Sequence, residues 1–132
     1  MKLKLEDYKL VDLKFNLLEK DSMVSDTSDN LNLQVGQFYG LDEKCGFGIG
    51  FKVNFVKENY SVDMEMRFFF TADEPITDEF KKSSFPTVNA PAIAFPYLRS
   101  FISIFTLQSG FAPVLIPSIN FVELAKNAQN NS

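Results

Sequence analysis

The side chains that most often perform catalysis or bind metals are scarce in this 132-residue chain. It contains no histidine, and Cys45 is its single cysteine. A histidine-based triad or relay is therefore excluded, as are a disulfide within the chain and a His/Cys metal cluster. Cys45 has no evident base partner that would make it a nucleophile. We predict a protein that is not an enzyme and that uses neither a metal nor a cofactor.

Two acidic pairs and one glycine-rich segment are the other candidates for chemistry. Asp73-Glu74 and Asp78-Glu79 lie in a charged connection, where solvated carboxylates are more common than catalytic ones. Phe47-Gly48-Ile49-Gly50 lies inside a predicted strand, whereas a dinucleotide-binding loop joins a strand to a helix. The sequence therefore points to binding rather than to catalysis.

The composition indicates which kind of partner such a protein would bind. Fifteen residues are Phe and none is Trp, within a chain that is 45% hydrophobic and 23% charged. So many Phe side chains must be buried or reserved for apolar partners. The net charge of −4 disfavours attraction to a phosphate backbone, so we predict no nucleic-acid binding.

The amino terminus and the longest apolar run both bear on localisation. Residues 1–7 include several charges and lack the apolar centre of a signal peptide. The apolar run near Phe101–Phe105 is interrupted by Ser and Thr, and it is shorter than the roughly 20 residues that span a bilayer. We predict a cytoplasmic protein that does not insert into membranes.

Alternating apolar residues predict four strands. The strands are expected at residues 11–17, 31–39, 47–55 and 60–70, and the last two form a hairpin. Residues 21–30 are polar and rich in turn formers, and they are too many for a tight hairpin. This segment is therefore predicted to cross over between the first two strands.

The glycines of the third predicted strand alternate with its apolar residues. Gly46, Gly48 and Gly50 occupy the polar side of that strand. Glycine weakens a strand, and it often marks a bulge or a close approach of another group. We predict a local twist or bulge here, with close approach by a backbone or ligand as the alternative.

A long apolar helix is predicted from residue 90 to about residue 109. Asn89 is expected to cap its start, and Gly110 to end it in a left-handed conformation. Pro96 lies inside the helix and predicts a bend or a broken first turn. The charged connection before it, at 76–83, is expected to form one or two helical turns.

The chain is predicted to end in an extended arm and a second helix. Pro113 and Pro117 keep the arm extended, and Asn120 or Ser118 opens a helix at 121–127. We predict one α+β domain over residues 1–132. It has a four-stranded antiparallel sheet in a meander with a long crossover between the first two strands, a long kinked helix and a short C-terminal helix.

The long helix also predicts self-association. Its only charged residue is Arg99, and apolar residues surround most of its circumference. One side can pack on the sheet, but a chain of this size cannot cover the other side, so a second subunit is the simplest cover. The predicted interface residues are Tyr97, Leu98, Phe101, Ile102 and Phe105.

Three motifs resemble the C-terminal half of the SecB protein-export chaperones. They are Phe95-Pro96-Tyr97-Leu98-Arg99, Gly110-Phe111-Ala112-Pro113 and Ile119-Asn120-Phe121, in the order and at nearly the spacing of that family. The resemblance implies a cytosolic holdase that binds unfolded or precursor polypeptides without ATP and delivers them to the SecA motor for export and translocation. It also implies a homotetramer built as a dimer of dimers.

Two other functions remain open from the sequence. Divergent relatives of this family serve as dedicated chaperones of one partner, such as an antitoxin. A carrier that encloses a small apolar ligand between sheet and helices is the alternative from a different class.

Candidate site residues follow from the resemblance and from strand faces. The groove for unfolded polypeptide is expected where the second helix and the crossover flank the sheet. Its candidate lining residues are Phe38, Tyr39, Phe69, Phe111, Leu115, Phe121 and Leu124, each with a place in the core as the alternative. An acidic patch for docking of the motor is predicted at Asp12, Asp63 and Glu65, with a solvated sheet face as the alternative.

Overall fold

The computed structural model describes residues 1–19, 31–41, 44–57 and 59–130. The predicted crossover at 21–30 lies outside the described residues. Within the described residues, four strands are followed by three helices, with one π-helical turn before the long helix. Their bounds are β1 Leu3–Leu17, β2 Asn32–Phe38, β3 Gly46–Lys57, β4 Tyr60–Ala72, α1 Asp78–Lys82, the π-helical turn Phe85–Asn89, α2 Ala90–Gln108 and α3 Phe121–Asn130.

The four strands form one antiparallel sheet in the order β1-β4-β3-β2. Strands β2, β3 and β4 make a meander, and β1 lies beside β4 rather than beside β2. The first two strands of the chain are therefore the two edges of the sheet. The predicted α+β fold is confirmed, with its four-stranded antiparallel sheet, long helix and short C-terminal helix.

The alternation predicted for β3 and β4 is confirmed by burial. Their apolar residues face the helices and pair across the two strands, as Phe47 does with Phe70 and Ile49 with Phe68. A strand with one buried face requires this period of two. These residues form the floor of the core: Phe47, Ile49, Phe51, Val53, Phe55, Tyr60, Val62, Met64, Met66, Phe68 and Phe70.

Strand β1 is longer than predicted because two irregularities interrupt its alternation. Its pairing with β4 shifts between Leu5 and Asp7 and again between Leu10 and Asp12. Val11 lies at the second shift and is not among the residues of β1 that pair with β4. The sequence had predicted that it faces the same way as Leu13. Each extra residue moves the side chains that follow it to the opposite face of the strand. Strict alternation is therefore seen only in the last part of β1.

The start of α2 differs from the prediction, whereas its end agrees. Asn89 has helical dihedral angles and makes no side-chain capping bond, because the π-helical turn runs directly into α2. Gly110 has φ of 97° and ends the helix in the left-handed region, as predicted. The helix continues through Pro96.

The two short helices have clear side-chain caps. The Phe80 amide donates a hydrogen bond to Thr77 Oγ1 at the start of α1. At the start of α3, Asn120 Oδ1 accepts hydrogen bonds from the amides of Val122 and Glu123, at 3.1 and 3.2 Å. Asn120 therefore opens α3, as the sequence predicts, by satisfying amides that have no partner within the helix.

Helix α2 lies across the apolar face of the sheet. Its buried residues recur at helical spacing and include Ala94, Leu98 and Ile102. The helical stretch Phe85–Gln108 has 24 residues and is long and apolar enough to cross a membrane. The shorter apolar run near Phe101–Phe105 did not indicate this from the sequence. One side of the stretch packs on the sheet, and 39% of its most apolar 18 residues are buried; a single helix that meets this criterion is weak evidence of a membrane span.

Candidate functional site

The extended arm between α2 and α3, residues 111–120, is fastened to the end of α2 by Thr106. Thr106 is buried, and its Oγ1 accepts a hydrogen bond from the Val114 amide at 2.9 Å. Its backbone carbonyl accepts a second from the Phe111 amide at 3.1 Å. These two bonds hold the first half of the arm at a fixed distance from the helix.

The arm directs its neighbouring side chains to opposite sides. Ile116 is buried in the core, whereas the adjacent Leu115 is 75% exposed. In an extended segment successive side chains point in opposite directions, so burial of Ile116 projects Leu115 outward. An exposed leucine held in this way offers apolar surface to a partner.

An apolar groove of about 950 Å³ lies between the arm, α3 and the end of the sheet where β2 begins. Its size is near the upper limit of ordinary ligand sites. Asn32, Lys57 and Tyr60 are the described lining residues that carry polar side-chain atoms, and the other lining side chains are apolar. These apolar residues are Leu31, Leu33, Phe55, Ala112, Pro113, Val114, Leu115, Ile116, Pro117, Ile119 and Leu124.

Leu115 also borders a second, smaller depression on the other side of the arm. This depression has a volume of about 380 Å³ and extends along α2 past Pro96, Arg99 and Ile104. The exposed leucine therefore stands between two concave surfaces.

The predicted groove residues divide among several places. Leu115 and Leu124 line the groove. Phe121 is buried, with its ring centroid 5.5 Å from that of Phe95, and belongs to the core. Phe111 is half-buried, with its ring centroid 4.2 Å from that of Tyr60, and it is not a lining residue of the groove.

The other three candidates lie away from the groove. Phe38 and Phe69 meet edge to face on the opposite side of the sheet, with ring centroids 5.6 Å apart. Tyr39 packs against Phe47 at 6.5 Å, and the Lys81 ammonium lies 4.9 Å from its ring centroid. Burial raises the pKa of the Tyr39 hydroxyl above its usual value. The structure thus does not gather the seven candidates into one surface.

The predicted docking residues lie on the sheet face opposite α2, among basic residues. Asp12 lies directly opposite Glu65 across β1 and β4, and Asp63 lies opposite Lys14. Glu65 accepts a hydrogen bond from Arg67 Nε at 2.8 Å. The three carboxylates therefore belong to a surface of mixed charge rather than to a continuous acidic patch.

Two of the predicted interface residues lie inside the chain. Leu98 and Ile102 are 0% and 1% exposed, because they belong to the side of α2 that packs on the sheet. Phe101 and Phe105 are half-buried, and Tyr97 is 44% exposed. The prediction therefore requires correction for Leu98 and Ile102, which have no surface to offer a second subunit.

The uncovered side of α2 carries an apolar stripe that we call the outer stripe. It consists of Ile93, Tyr97, Ile104 and Leu107, each at least 40% exposed. At one end the Tyr97 ring lies 5.3 Å from that of Tyr8, an exposed residue of β1. The sequence indicated apolar residues around the helix, but only the sheet determines which of them stay exposed.

The described residues contain no group of three or more Cys, Asp or Glu that could hold a metal ion. Cys45 is half-buried and has a free thiol. Sequence reasoning missed most residues of the groove, including Leu31, Leu33 and Val114. Pro113 and Pro117 were the available signal, because an arm held extended by prolines displays every second side chain.

Comparison with known families and proteins gives a consistent result. The model of the family described as "Preprotein translocase subunit SecB" matches residues 47–132. An uncharacterized protein of Methanocaldococcus jannaschii, MJ0357, is 28% identical over 96% of this chain and 84% of its own length. The protein-export protein SecB of Orientia tsutsugamushi is 40% identical over 57 residues, which are 43% of this chain and 35% of that protein.

Solved structures share the fold at low sequence identity. The Mycobacterium tuberculosis SecB-like chaperone Rv1957, in complex with a ChAD peptide from the HigA1 antitoxin, has a TM-score of 0.66 and 12% identity. That match covers 89% of this chain and 90% of the other. A protein of unknown function from Streptococcus agalactiae has a TM-score of 0.60 and 10% identity, over 89% of this chain and 98% of the other.

Proposed function

This chain belongs to the SecB family, and from that premise we propose that it is an ATP-independent holdase for unfolded polypeptides. The observation that carries the proposal is the groove of about 950 Å³ beside the arm, with Leu115 projecting 75% exposed at its margin. A groove lined mostly by aliphatic, aromatic and proline side chains favours apolar chain segments without reading a particular sequence.

The expected affinity follows from the number of client side chains that enter the groove. Each buried Leu- or Phe-sized side chain contributes roughly 1.5–3 kcal/mol of transfer free energy. Ordering the client opposes binding, so several side chains must enter together to reach a useful affinity. The groove therefore suits long, unfolded segments better than isolated side chains, which is how a holdase distinguishes unfolded from folded proteins.

We propose preproteins as the clients, because the matching family is described by its part in preprotein translocation. SecB-like chaperones are soluble cytosolic proteins that lack enzymatic activity, and we place this chain in the cytoplasm on that basis. SecA is the proposed receiving motor, with Asp12, Asp63 and Glu65 as its candidate docking residues. We further propose a homotetramer in which the outer stripe is covered by a second subunit.

A second candidate function is that of a dedicated chaperone for one antitoxin-like partner. It is favoured by one observation, the shared fold with a Mycobacterium tuberculosis SecB-like chaperone that binds a peptide of an antitoxin. Such a chaperone would use the same groove, but its surface would fit one client segment. The two candidates therefore differ in breadth of binding rather than in its location.

The deciding experiment is suppression of aggregation for several unrelated unfolded proteins, without nucleotide. Protection of all of them at stoichiometric amounts of chaperone is expected for an export holdase. Protection of none, alongside tight binding of a single co-expressed partner, would establish the dedicated chaperone. A small apolar molecule that co-purifies in equimolar amount and blocks client binding would contradict both candidates and indicate a carrier.

A further inference from the structure

The sheet face opposite α2 carries three successive rows of residues across β2, β3 and β4, one from each strand per row. The first row is Gln34, Lys52 and Glu65; the second is Gly36, Gly50 and Arg67; the third is Phe38, Gly48 and Phe69. Two adjacent strands thus contribute glycine to the middle row. Neighbouring strands lie about 4.8 Å apart, so this row has a bare floor two strands wide.

The third row shows how the chain covers a glycine on this face. The Phe38 ring lies directly on Gly48, so closely that a methyl group at Gly48 would overlap it. Phe69 then packs edge to face against the Phe38 ring. A strand glycine leaves room for close approach, and here a ring of the same chain occupies that room.

The middle row has the same glycine floor without a cover. No atom lies within 4 Å of an added Cβ at Gly36, and the nearest to one at Gly50 is Glu65 Oε2, at 3.9 Å. The result is a depression of about 410 Å³, and Phe38 forms one of its walls. This space is large enough for one aromatic side chain and its neighbouring residue.

Among the described residues that line the depression, Lys52 and Arg67 are cations and Glu65 is the single anion. These lining residues sum to +1 within a chain of net charge −4. Arg67 uses Nε to donate to Glu65, and its guanidinium carbon lies 5.7 Å from the Phe38 ring centroid. The fork of an arginine can bind a further carboxylate through its terminal nitrogens.

We propose that this depression is a second polypeptide-binding site, which takes an aromatic side chain adjacent to a carboxylate. The incoming ring lies on the Gly36–Gly50 floor, next to Phe38, as the Phe38 ring lies on Gly48. The carboxylate of the neighbouring acidic residue pairs with Arg67 and Lys52. The groove beside the arm lies on the other side of the sheet, so this site does not depend on the proposed holdase function.

The test uses the full chain, labelled with ¹⁵N, and the probe peptide acetyl-Ser-Phe-Asp-Ser-amide. Titration is expected to shift the amide resonances of Gly36 and Gly50, with a dissociation constant in the millimolar range or tighter. The same peptide with Asn in place of Asp is expected to bind at least threefold more weakly, because it lacks the charge. Shifts confined to groove residues such as Leu115, or none at the two glycines, would overturn the proposal.

The variant Gly36→Val fills the floor without a steric conflict, since the position has open space. It is expected to weaken binding of the probe at least tenfold. Asn54→Val is the matched control, because Asn54 lies on the same sheet face and outside the depression. An equal loss of probe binding in both variants would contradict the assignment, as would wild-type binding of the probe by Gly36→Val. Circular dichroism and urea denaturation check that both variants fold as the wild type does.

Discussion

The Val114 amide donates a hydrogen bond of 2.9 Å to Thr106 Oγ1, and this bond joins the arm to the long helix. The same hydroxyl donates to the Ile102 carbonyl at 2.8 Å, so the buried Thr106 has both a donor and an acceptor role. The Thr106 hydroxyl is therefore one of the two groups of this residue that position the arm beside the groove, together with its backbone carbonyl.

Thr106→Val keeps the side-chain shape and removes this hydroxyl. The Val114 amide then loses its partner, which costs about 1–3 kcal/mol in free energy of unfolding if the amide stays buried. Client affinity should also fall, because the arm loses its fixed position. Urea denaturation measures the first effect and calorimetry with an unfolded client the second. Ser109→Ala is the control, since its Oγ bonds only to the Phe105 carbonyl within the helix region; equal effects of both variants would contradict this role.

Leu115 should matter for binding and not for stability. Since it is 75% exposed, Leu115→Ser is expected to change the free energy of unfolding by no more than about 0.5 kcal/mol. The same substitution should weaken binding of an unfolded client roughly five- to tenfold, because one apolar contact of the groove is lost. Val122→Ser provides a control, as Val122 is exposed on α3 outside the groove lining. A client that binds Leu115→Ser and wild type equally would place the binding surface elsewhere.

The sequence predicted the middle of the fold better than its edges. In β3 and β4 one face is buried throughout, so alternation persists and reveals both strands. In β1 two register shifts interrupt alternation, so the part before Val11 was missed. Asn89 resembles a helix cap, but the preceding π-helical turn already supplies helical backbone, which no local pattern indicates.

Site residues could be predicted only where a local sequence pattern also indicated the position of the residue in the fold. Leu115 and Leu124 lie on the predicted arm and last helix, and both line the groove. Phe69 was expected on the polar side of its strand, and it lies there. Its partner Phe38 is 31 positions away in sequence and meets it across Gly48, a register that depends on the pairing of three strands. Local periodicity contains no information about such a contact.

Ionisation of Tyr39 should lower the free energy of unfolding at alkaline pH. Burial raises its pKa above the ordinary value of 10.0, so the folded state holds the proton more tightly than the unfolded state. The associated stability is complete below pH 10 and is lost as pH rises through the folded pKa. The difference in phenolate absorbance between wild type and Tyr39→Phe, followed during a pH titration, should show a component that ionises above the ordinary value of 10.0. A difference curve centred at or below that value would contradict the assignment.

Gly48 should be intolerant of a methyl group because the Phe38 ring covers it. Gly48→Ala is expected to destabilise the fold by roughly 1–3 kcal/mol, the usual cost of overpacking. Gly50→Ala is the control, since its nearest contact would be Glu65 Oε2 at 3.9 Å. The double variant Gly48→Ala with Phe38→Ala should be less destabilised than the sum of its single variants, as measured by urea denaturation. Strict additivity would show that the ring does not constrain Gly48.

Self-association should depend on the outer stripe of α2. Ile104 is 59% exposed, so Ile104→Asp can be accommodated in a single folded chain, but its carboxylate would be buried without a partner if a second subunit covers the helix. Light scattering should show an oligomer for wild type and a smaller species for the variant, with unchanged circular dichroism. Gln108→Asp is the control, because it adds the same charge at an exposed polar position on α2. A wild-type monomer at micromolar concentration, or an Ile104→Asp variant of wild-type size, would contradict assembly through this stripe.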